Sequence, residues 1–505
     1  MDELAAANQA YSLSFRRKRN KTSDMAFGRS LYFSSLSSLV KVVVQFGLSI
    51  FVARLLTPVE IGSFGVALAA AALVRAFESA GISNFIASHK DLTPELMRTV
   101  FTVNLGLNWV LAALLFLLSE PLGVFFSSEA VATIMQMVAL ATALNSHMAL
   151  IQGTLRRSMR FKELMWLDFF FLAIGATTTI SAVLAGFGAL SLALSLIVEN
   201  LLAAVIGVVA FRRSIPLRPR WTDKKIVLGY GLSLSTATVI GIIGGHASNF
   251  ILGRTLGLGQ AAQFDRANTL PRLIWQIVFP SFHSVLVPEY ARRHRDDEDP
   301  IRLLNDTVRT YAMLVWPPGL VLALLAPEVI YLLYGAQWTA AGEISAFLIF
   351  YGLLNSPIIL ANAALIALGR GGALINVQLA ENGLKILVLL SAPFVGLFGL
   401  AALMAVPVAA SAVTSLYYLS RYELVSVPAF FRALTGPGGL SLLCGIPAVV
   451  ALLVTEGGER LSILQMVPVA VASTLIYCAY IWWREPKLRA YLLALLRPGP
   501  ASGKP

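Results

Sequence analysis

Long apolar runs recur along this chain, separated by short polar interruptions. A membrane-spanning helix needs about 20 apolar residues. Runs of that kind fall near residues 31–53, 62–86, 98–118, 130–153, 165–185, 188–211, 228–252, 261–288, 306–333, 343–367, 374–394, 397–419, 434–454 and 463–483. The pattern predicts an all-α integral membrane protein with fourteen spanning helices. The connecting stretches are short, so no sizeable soluble domain is expected.

Two echoes suggest an internal repeat. Arg54-Leu55-Leu56 and Phe64 reappear in similar form as Arg254-Thr255-Leu256 and Phe264. Thr99-Val100-Phe101-Thr102 and Glu120 return at nearly the same offset as Thr307-Val308-Arg309-Thr310 and Glu328. These predict two six-helix lobes related by an axis along the membrane normal, as in transporters with parallel repeats. The expected organisation is a basic tail over 1–28, an N-lobe over 29–211, a basic linker over 212–225 and a C-lobe over 226–420. Two further helices fill 421–484, and a tail closes the chain at 485–505.

Composition agrees with this class. Of the 505 residues, 57% are hydrophobic and 13% charged, more apolar surface than a soluble core of this size hides. The net charge of +12 changes meaning once the cations are placed. Only Arg54, Arg254 and Arg460 fall in loops on one side; the tails and the opposite loops carry most of the rest, and a few lie inside the spans. Cytoplasmic loops retain an excess of Lys and Arg. The charge therefore reports topology, with both termini cytoplasmic, and no nucleic-acid partner is expected. Residues 1–28 are polar and basic and read as a tail, not a signal peptide. Cys444 and Cys478 read as small packing residues.

Ionisable groups within spans are costly and tend to face a bundle interior or a wet cavity. Lys41 lies well inside the first span, Arg75 and Glu78 in the second, Glu199 in the sixth and Arg272 in the eighth. Glu381 and Lys385 form an i,i+4 pair in the eleventh. Arg75–Glu78 and Glu381–Lys385 can neutralise themselves as structural ion pairs. Lys41 and Arg272 have no opposite charge within one helical turn, which favours an anionic ligand; Arg offers a planar fork suited to phosphate and Lys a point charge. Asp265, Arg266 and Arg309 sit nearer helix ends, where snorkelling accounts for them. The eighth span is unusually polar, with Gln263, Asp265, Asn268, Gln276 and His283 among its apolar residues, and it predicts a water-lined helix. Asn355, Pro357 and Asn362 predict a local break in the tenth. No glycine-rich phosphate loop, metal-ligand spacing or Ser/His/Asp set is present. Neither enzymatic activity nor a metal or cofactor is expected.

Several strings resemble a known family. Ala53-Arg54-Leu55-Leu56-Thr57-Pro58…Gly62 is similar to the signature after the first helix of bacterial oligosaccharide flippases. These form the Wzx/polysaccharide-transporter group of the multidrug/oligosaccharidyl-lipid/polysaccharide exporter superfamily. Gln152…Leu155-Arg156-Arg157…Met159-Arg160-Phe161-Lys162 resembles its fourth-to-fifth segment loop. Gly257…Phe264-Asp265-Arg266-Ala267, with Pro271 and Pro288, resembles its eighth-segment pattern. Tyr334-Gly335…Trp338…Ala341 and Ala367-Leu368-Gly369-Arg370 resemble its ninth-to-eleventh region. One position departs: the family has Ser or Asn where this chain has Asp265.

The resemblance implies a V-shaped cavity between two lobes that opens alternately to either face of the bacterial cytoplasmic membrane. Its cargo would be an undecaprenyl-diphosphate-linked oligosaccharide repeat unit, moved from inner to outer leaflet for exopolysaccharide, capsule or O-antigen assembly. Membrane lipids, a polysaccharide polymerase and chain-length machinery are the further partners it suggests. By position, Lys41, Arg75, Arg272 and Arg266 are the candidates to line the cavity and bind diphosphate. Glu78, Glu199, Asp265, Glu381 and Lys385 are candidates for ion coupling or for structural ion pairs. A drug or cation antiporter of the same superfamily is one alternative reading. A membrane-embedded polysaccharide polymerase is another, although such enzymes usually carry a long external loop.

Overall fold

The computed structural model describes residues 40–74, 82–89, 91–211, 221, 236–296, 298–455 and 460–485, and every regular element among them is helical. The tail over 1–28, nearly all of the linker over 212–225, and the positions Arg75 and Glu78 lie outside the described residues.

The first part of the chain forms α1 (residues 40–55), α2 (Pro58–Val74), α3 (Ile82–Ser88), α4 (Pro94–Phe125), α5 (Glu129–Leu144), α6 (Ser146–Arg157), α7 (Phe161–Leu184) and α8 (Leu190–Val209). There follow α9 (Thr236–Thr255), α10 (Leu258–Ala267), α11 (Thr269–Arg295), α12 (Pro300–Leu324), α13 (Ala326–Tyr334), α14 (Thr339–Ala361) and α15 (Ala363–Ala367). The last are α16 (Gly371–Leu390), α17 (Ala392–Leu403), α18 (Ala405–Arg421), α19 (Val427–Val454) and α20 (Ile463–Arg484). Among the described residues, 8 helices are long and apolar enough to cross a membrane, or 11 when each bent pair is taken as one span.

Helix starts follow local chemistry. Thr93 and Ser128 accept the Leu96 and Val131 amides at the heads of α4 and α5, while Asp299 accepts the Arg302 amide ahead of Pro300. Ser462 and Gln465 cap α20 reciprocally. The predicted fourth span bends by 44° between α5 and α6, and the twelfth by 43° between α17 and α18. In the eighth, α10 gives way to α11 at Asn268, whose amide donates to the Phe264 carbonyl one turn back, and the 45° bend follows between Ile274 and Gln276. The tenth is interrupted at Asn362, as its sequence predicts, where the amide donates to Ser415 Oγ.

The chain divides into two compact units. One comprises residues up to Leu56 together with Ala70–Ser235; the other comprises Thr57–Ala69 and Thr236–Pro505. In the first, Phe85, Ile86, Val100, Leu150 and Ile151 close a core between α3, α4 and α6. In the second, α12 packs along α19, and Leu325, Ala448, Leu461 and Val469 join that pair to α20.

The start of α2 belongs with the second unit for a steric reason. Gly257, at φ +95°, turns the chain from α9 into α10 in a conformation that favours glycine. The Leu258 carbonyl then lies so close to Gly62 that a Cβ there would sit 2.0 Å from its oxygen. This approach gives a physical role to the glycine that ends the Ala53–Gly62 signature. Gly62→Ala should therefore destabilise the protein by about 1–3 kcal/mol through overpacking against a carbonyl that cannot rotate away. Gly106→Ala, whose Cβ meets nothing within 4 Å, serves as the control. Thermal unfolding of the two variants checks this, and a G62A midpoint equal to that of the control would contradict the contact.

Candidate functional site

In the second unit, α10, α11, α14, α16 and α18 surround a cavity of about 420 Å³. Its apolar wall includes Phe264, Ile359 and Val408, and its polar groups are Asn268, Arg272, Tyr351, Asn355, Glu381 and Lys385. This is the mixture expected of a ligand chamber: an apolar frame with a few convergent polar groups.

Arg272 stands one turn into α11, before the bend at residue 275. Its Nη2 donates to Asp265 Oδ1 at 3.2 Å, back across Asn268. The two side chains remain 55% and 42% exposed. The pair uses one of five guanidinium donors, and the remaining N–H groups can take phosphate oxygens.

Glu381 and Lys385 each find a partner on a neighbouring helix. Ser411 Oγ of α18 donates to Glu381 Oε2 at 2.8 Å, and Lys385 Nζ donates to the Gly244 carbonyl of α9 at 2.8 Å. The helices can approach this closely because Gly244 has no side chain: a Cβ there would fall 1.7 Å from Asn382 Oδ1. Lys385 thus ties α16 to α9 while also lining the chamber.

Arg266, expected with the chamber cations, serves a different purpose. It is 9% exposed, and its guanidinium lies 4.9 Å from the Tyr334 ring centre and 5.1 Å from that of Trp338. Such stacking satisfies a weakly hydrated cation without a carboxylate. Around it, Gln263 donates to the Gln337 carbonyl and accepts the Ala341 amide, while Ser345 Oγ donates to the Ala267 carbonyl. The strings 263–267 and 334–341, far apart in sequence, are two halves of one joint.

In the first unit, Lys41 Nζ of α1 bonds Asp168 Oδ2 of α7 at 2.6 Å, with the two side chains 36% and 15% exposed. The expectation that Lys41 lacks a counter-charge holds within its own helix and fails across the unit. Asp168, the partner of Lys41, is not among the candidates read from the sequence. Its signal was there: one acid within Trp166-Leu167-Asp168-Phe169-Phe170-Phe171, inside a predicted span. Glu199 of α8 is half-buried against α7, where a Cβ on Gly175 would meet its Oε1. Among the described residues, no group of three His, Cys, Asp or Glu side chains is arranged to hold a metal.

Residues 51–343, more than half of the chain, match the family described as "Polysaccharide biosynthesis protein", and the chain belongs to that family. It is similar to the "Succinoglycan biosynthesis transport protein ExoT" of Rhizobium meliloti, 26% identical over 68% of this chain and 70% of that protein. It is also similar to the "Lipopolysaccharide biosynthesis protein WzxC" of Escherichia coli, 22% identical over 63% of this chain and 66% of that one. Among solved structures it shares the fold of the lipid II flippase MurJ in an inward closed conformation. There the TM-score is 0.69 at 15% identity, covering 92% of this chain and 100% of that one.

The Lys41–Asp168 pair yields a separable prediction. Asp168→Asn leaves the ammonium without a counter-charge and should cost about 1–2 kcal/mol, less than a fully buried pair because Lys41 is partly solvated. The double variant Lys41→Met/Asp168→Asn removes both charges and should regain most of that stability. Thermal unfolding of the two single variants, Lys41→Met and Asp168→Asn, and of the double variant measures the coupling. Additive losses would mean the two groups do not interact.

Proposed function

We propose that this member of the polysaccharide biosynthesis protein family is a flippase for lipid-linked oligosaccharides, with undecaprenyl diphosphate as the carrier. It turns the repeat unit from the inner to the outer leaflet of the bacterial cytoplasmic membrane by alternating access, with both termini cytoplasmic. The observation that carries the reading is Arg272, half-exposed and incompletely paired, beside Asn268, Asn355 and Lys385 in an otherwise apolar bundle.

The physical problem is the headgroup. Each sugar hydroxyl moved into hydrocarbon without partners costs about 4–8 kcal/mol. Amide, phenol and carboxylate groups such as those of Asn268, Asn355, Tyr351 and Glu381 replace the lost water. Arg272 takes the diphosphate in a bidentate grip, and Lys41 and Arg75 are the corresponding cations assigned to the first lobe. The prenyl chain stays in lipid. Glu78, Glu199, Asp265 and Glu381 remain the groups assigned to ion coupling.

The similarity to a succinoglycan transport protein and a lipopolysaccharide biosynthesis protein supports a polysaccharide precursor over a drug as cargo. A polymerase and chain-length machinery are the assigned partners downstream. In a strain lacking the chromosomal gene, Arg272→Ala at normal protein level should reduce surface polysaccharide at least about tenfold, the value of one lost charge-assisted bond. Single lipid-linked repeats should accumulate on the inner leaflet. Wild-type polysaccharide in this variant overturns the anion-site assignment. Accumulation on the outer leaflet points to a polymerase, and drug hypersensitivity with normal polysaccharide to an antiporter.

A further inference from the structure

A second cavity in the same unit, of about 630 Å³, lies between α11, α12 and the end of α20. It shares no lining residue with the Arg272 chamber. Its lining runs from Val278 to Glu289 along α11 and from Leu303 to Leu314 along α12. At 1.5 Å per residue each stretch is about 16 Å long, the depth of one leaflet of a hydrocarbon core about 30 Å thick.

The wall changes character along that depth. Val278, Phe282, Val285, Met313 and Leu314 give it an apolar body, while Glu289, Asp306, Arg309 and Glu485 line its polar parts. Glu289 is already engaged, accepting from Arg292 at 2.9 Å and from Arg293 at 3.0 Å. Arg309 Nη2 donates to Glu485 Oε1 at 2.5 Å, which ties α12 to the last described residue after α20. The rest of the Arg309 fork is open to another acceptor, since its side chain stays 46% exposed. Asp306, three residues earlier and therefore on the same face of α12, is exposed, and its carboxylate has no donor or cationic partner among the described residues.

An open guanidinium beside an open carboxylate, above an apolar slot one leaflet deep, fits one headgroup chemistry. We propose that this cavity holds a resident zwitterionic lipid with a primary amine, of the phosphatidylethanolamine type, its phosphate on Arg309 and its ammonium on Asp306. A net-negative headgroup is disfavoured because Asp306 and Glu485 flank the phosphate position. A phosphocholine headgroup carries the same charges but no N–H for Asp306. The lipid would fasten α11 and α12 to the end of α20, apart from the cargo chamber. The inference rests on the orientation adopted above only for its leaflet, the inner one.

The test uses the full-length protein, purified in detergent and incubated with equal amounts of dioleoyl phosphatidylethanolamine, phosphatidylcholine and phosphatidylglycerol. Native mass spectrometry then counts the retained lipid. The ethanolamine lipid should be retained about tenfold over either competitor, the ratio one charged hydrogen bond supports. Asp306→Asn should erase the preference over phosphatidylcholine while the protein remains folded. Arg309→Lys, which keeps the charge and loses the fork, should weaken retention of every phospholipid. Equal retention of the three lipids, preference for phosphatidylglycerol, or an unchanged preference in D306N overturns the proposal. Displacement by undecaprenyl phosphate also overturns it, because the cavity would then belong to the cargo path. Arg272→Ala should leave lipid retention unchanged, so this result stands or falls independently of the flippase assay.

Discussion

A charge placed in hydrocarbon must be met by a partner, by an aromatic face or by water, and the rest of this structure is arranged around that requirement. The chain satisfies it in a different way at each site. Lys41 reaches a carboxylate on another helix, Arg266 is stacked on Tyr334 and Trp338, and Lys385 caps the Gly244 carbonyl. Arg272 is treated otherwise: a single longer bond to Asp265, substantial exposure, and a position on a cavity wall. Arg266 is buried against two aromatic rings, with its Nε left without a hydrogen-bond partner, whereas Arg272 keeps donors exposed to a cavity. That difference, more than charge alone, is what supports the proposal of Arg272 as a binding group.

Hydropathy made the broad architecture legible. Apolar run length is a one-dimensional property, and it carries over directly to helices of spanning length. The breaks were less so. Asn362 was legible because two asparagines and a proline cluster around it, but Asn145 between α5 and α6, and Met404 between α17 and α18, bend apparently continuous apolar runs. Partners were the least legible part. The separation between Lys41 and Asp168 is 127 residues, and a search restricted to one helical turn misses it. Arg266 and Arg272 lie on adjoining helices with equal formal charge, and only the packing of residues 334–338 separates their roles.

The recurring sequence strings acquire mechanical meaning in the structure. Gly62 is small because the Leu258 carbonyl comes against it, and Gly257 is left-handed because the chain must turn there. The 263–267 string and the 334–341 string form reciprocal halves of one polar and aromatic joint. Such strings constrain the frame near the chamber more than the chamber's own polar groups. A family signature of this kind therefore identifies the fold more securely than the cargo.

Asp265 departs from the Ser or Asn that the sequence resemblance implies at this position, and its place in the structure gives that departure a physical sense. A transporter's site has to release its cargo as well as bind it, and an anion site that is too strong stalls. On the proposed reading, a carboxylate within hydrogen-bond reach of Arg272 competes with the diphosphate for the same guanidinium. When the cargo arrives, phosphate displaces Asp265; when it leaves, Asp265 takes the fork back. Neither state leaves the cation without a partner in a low-dielectric chamber, so the cost of emptying the site is offset by a bond that is already built in. The exposure of both side chains suits such an exchange, because a fully buried pair would have to be desolvated anew at every turn of the cycle.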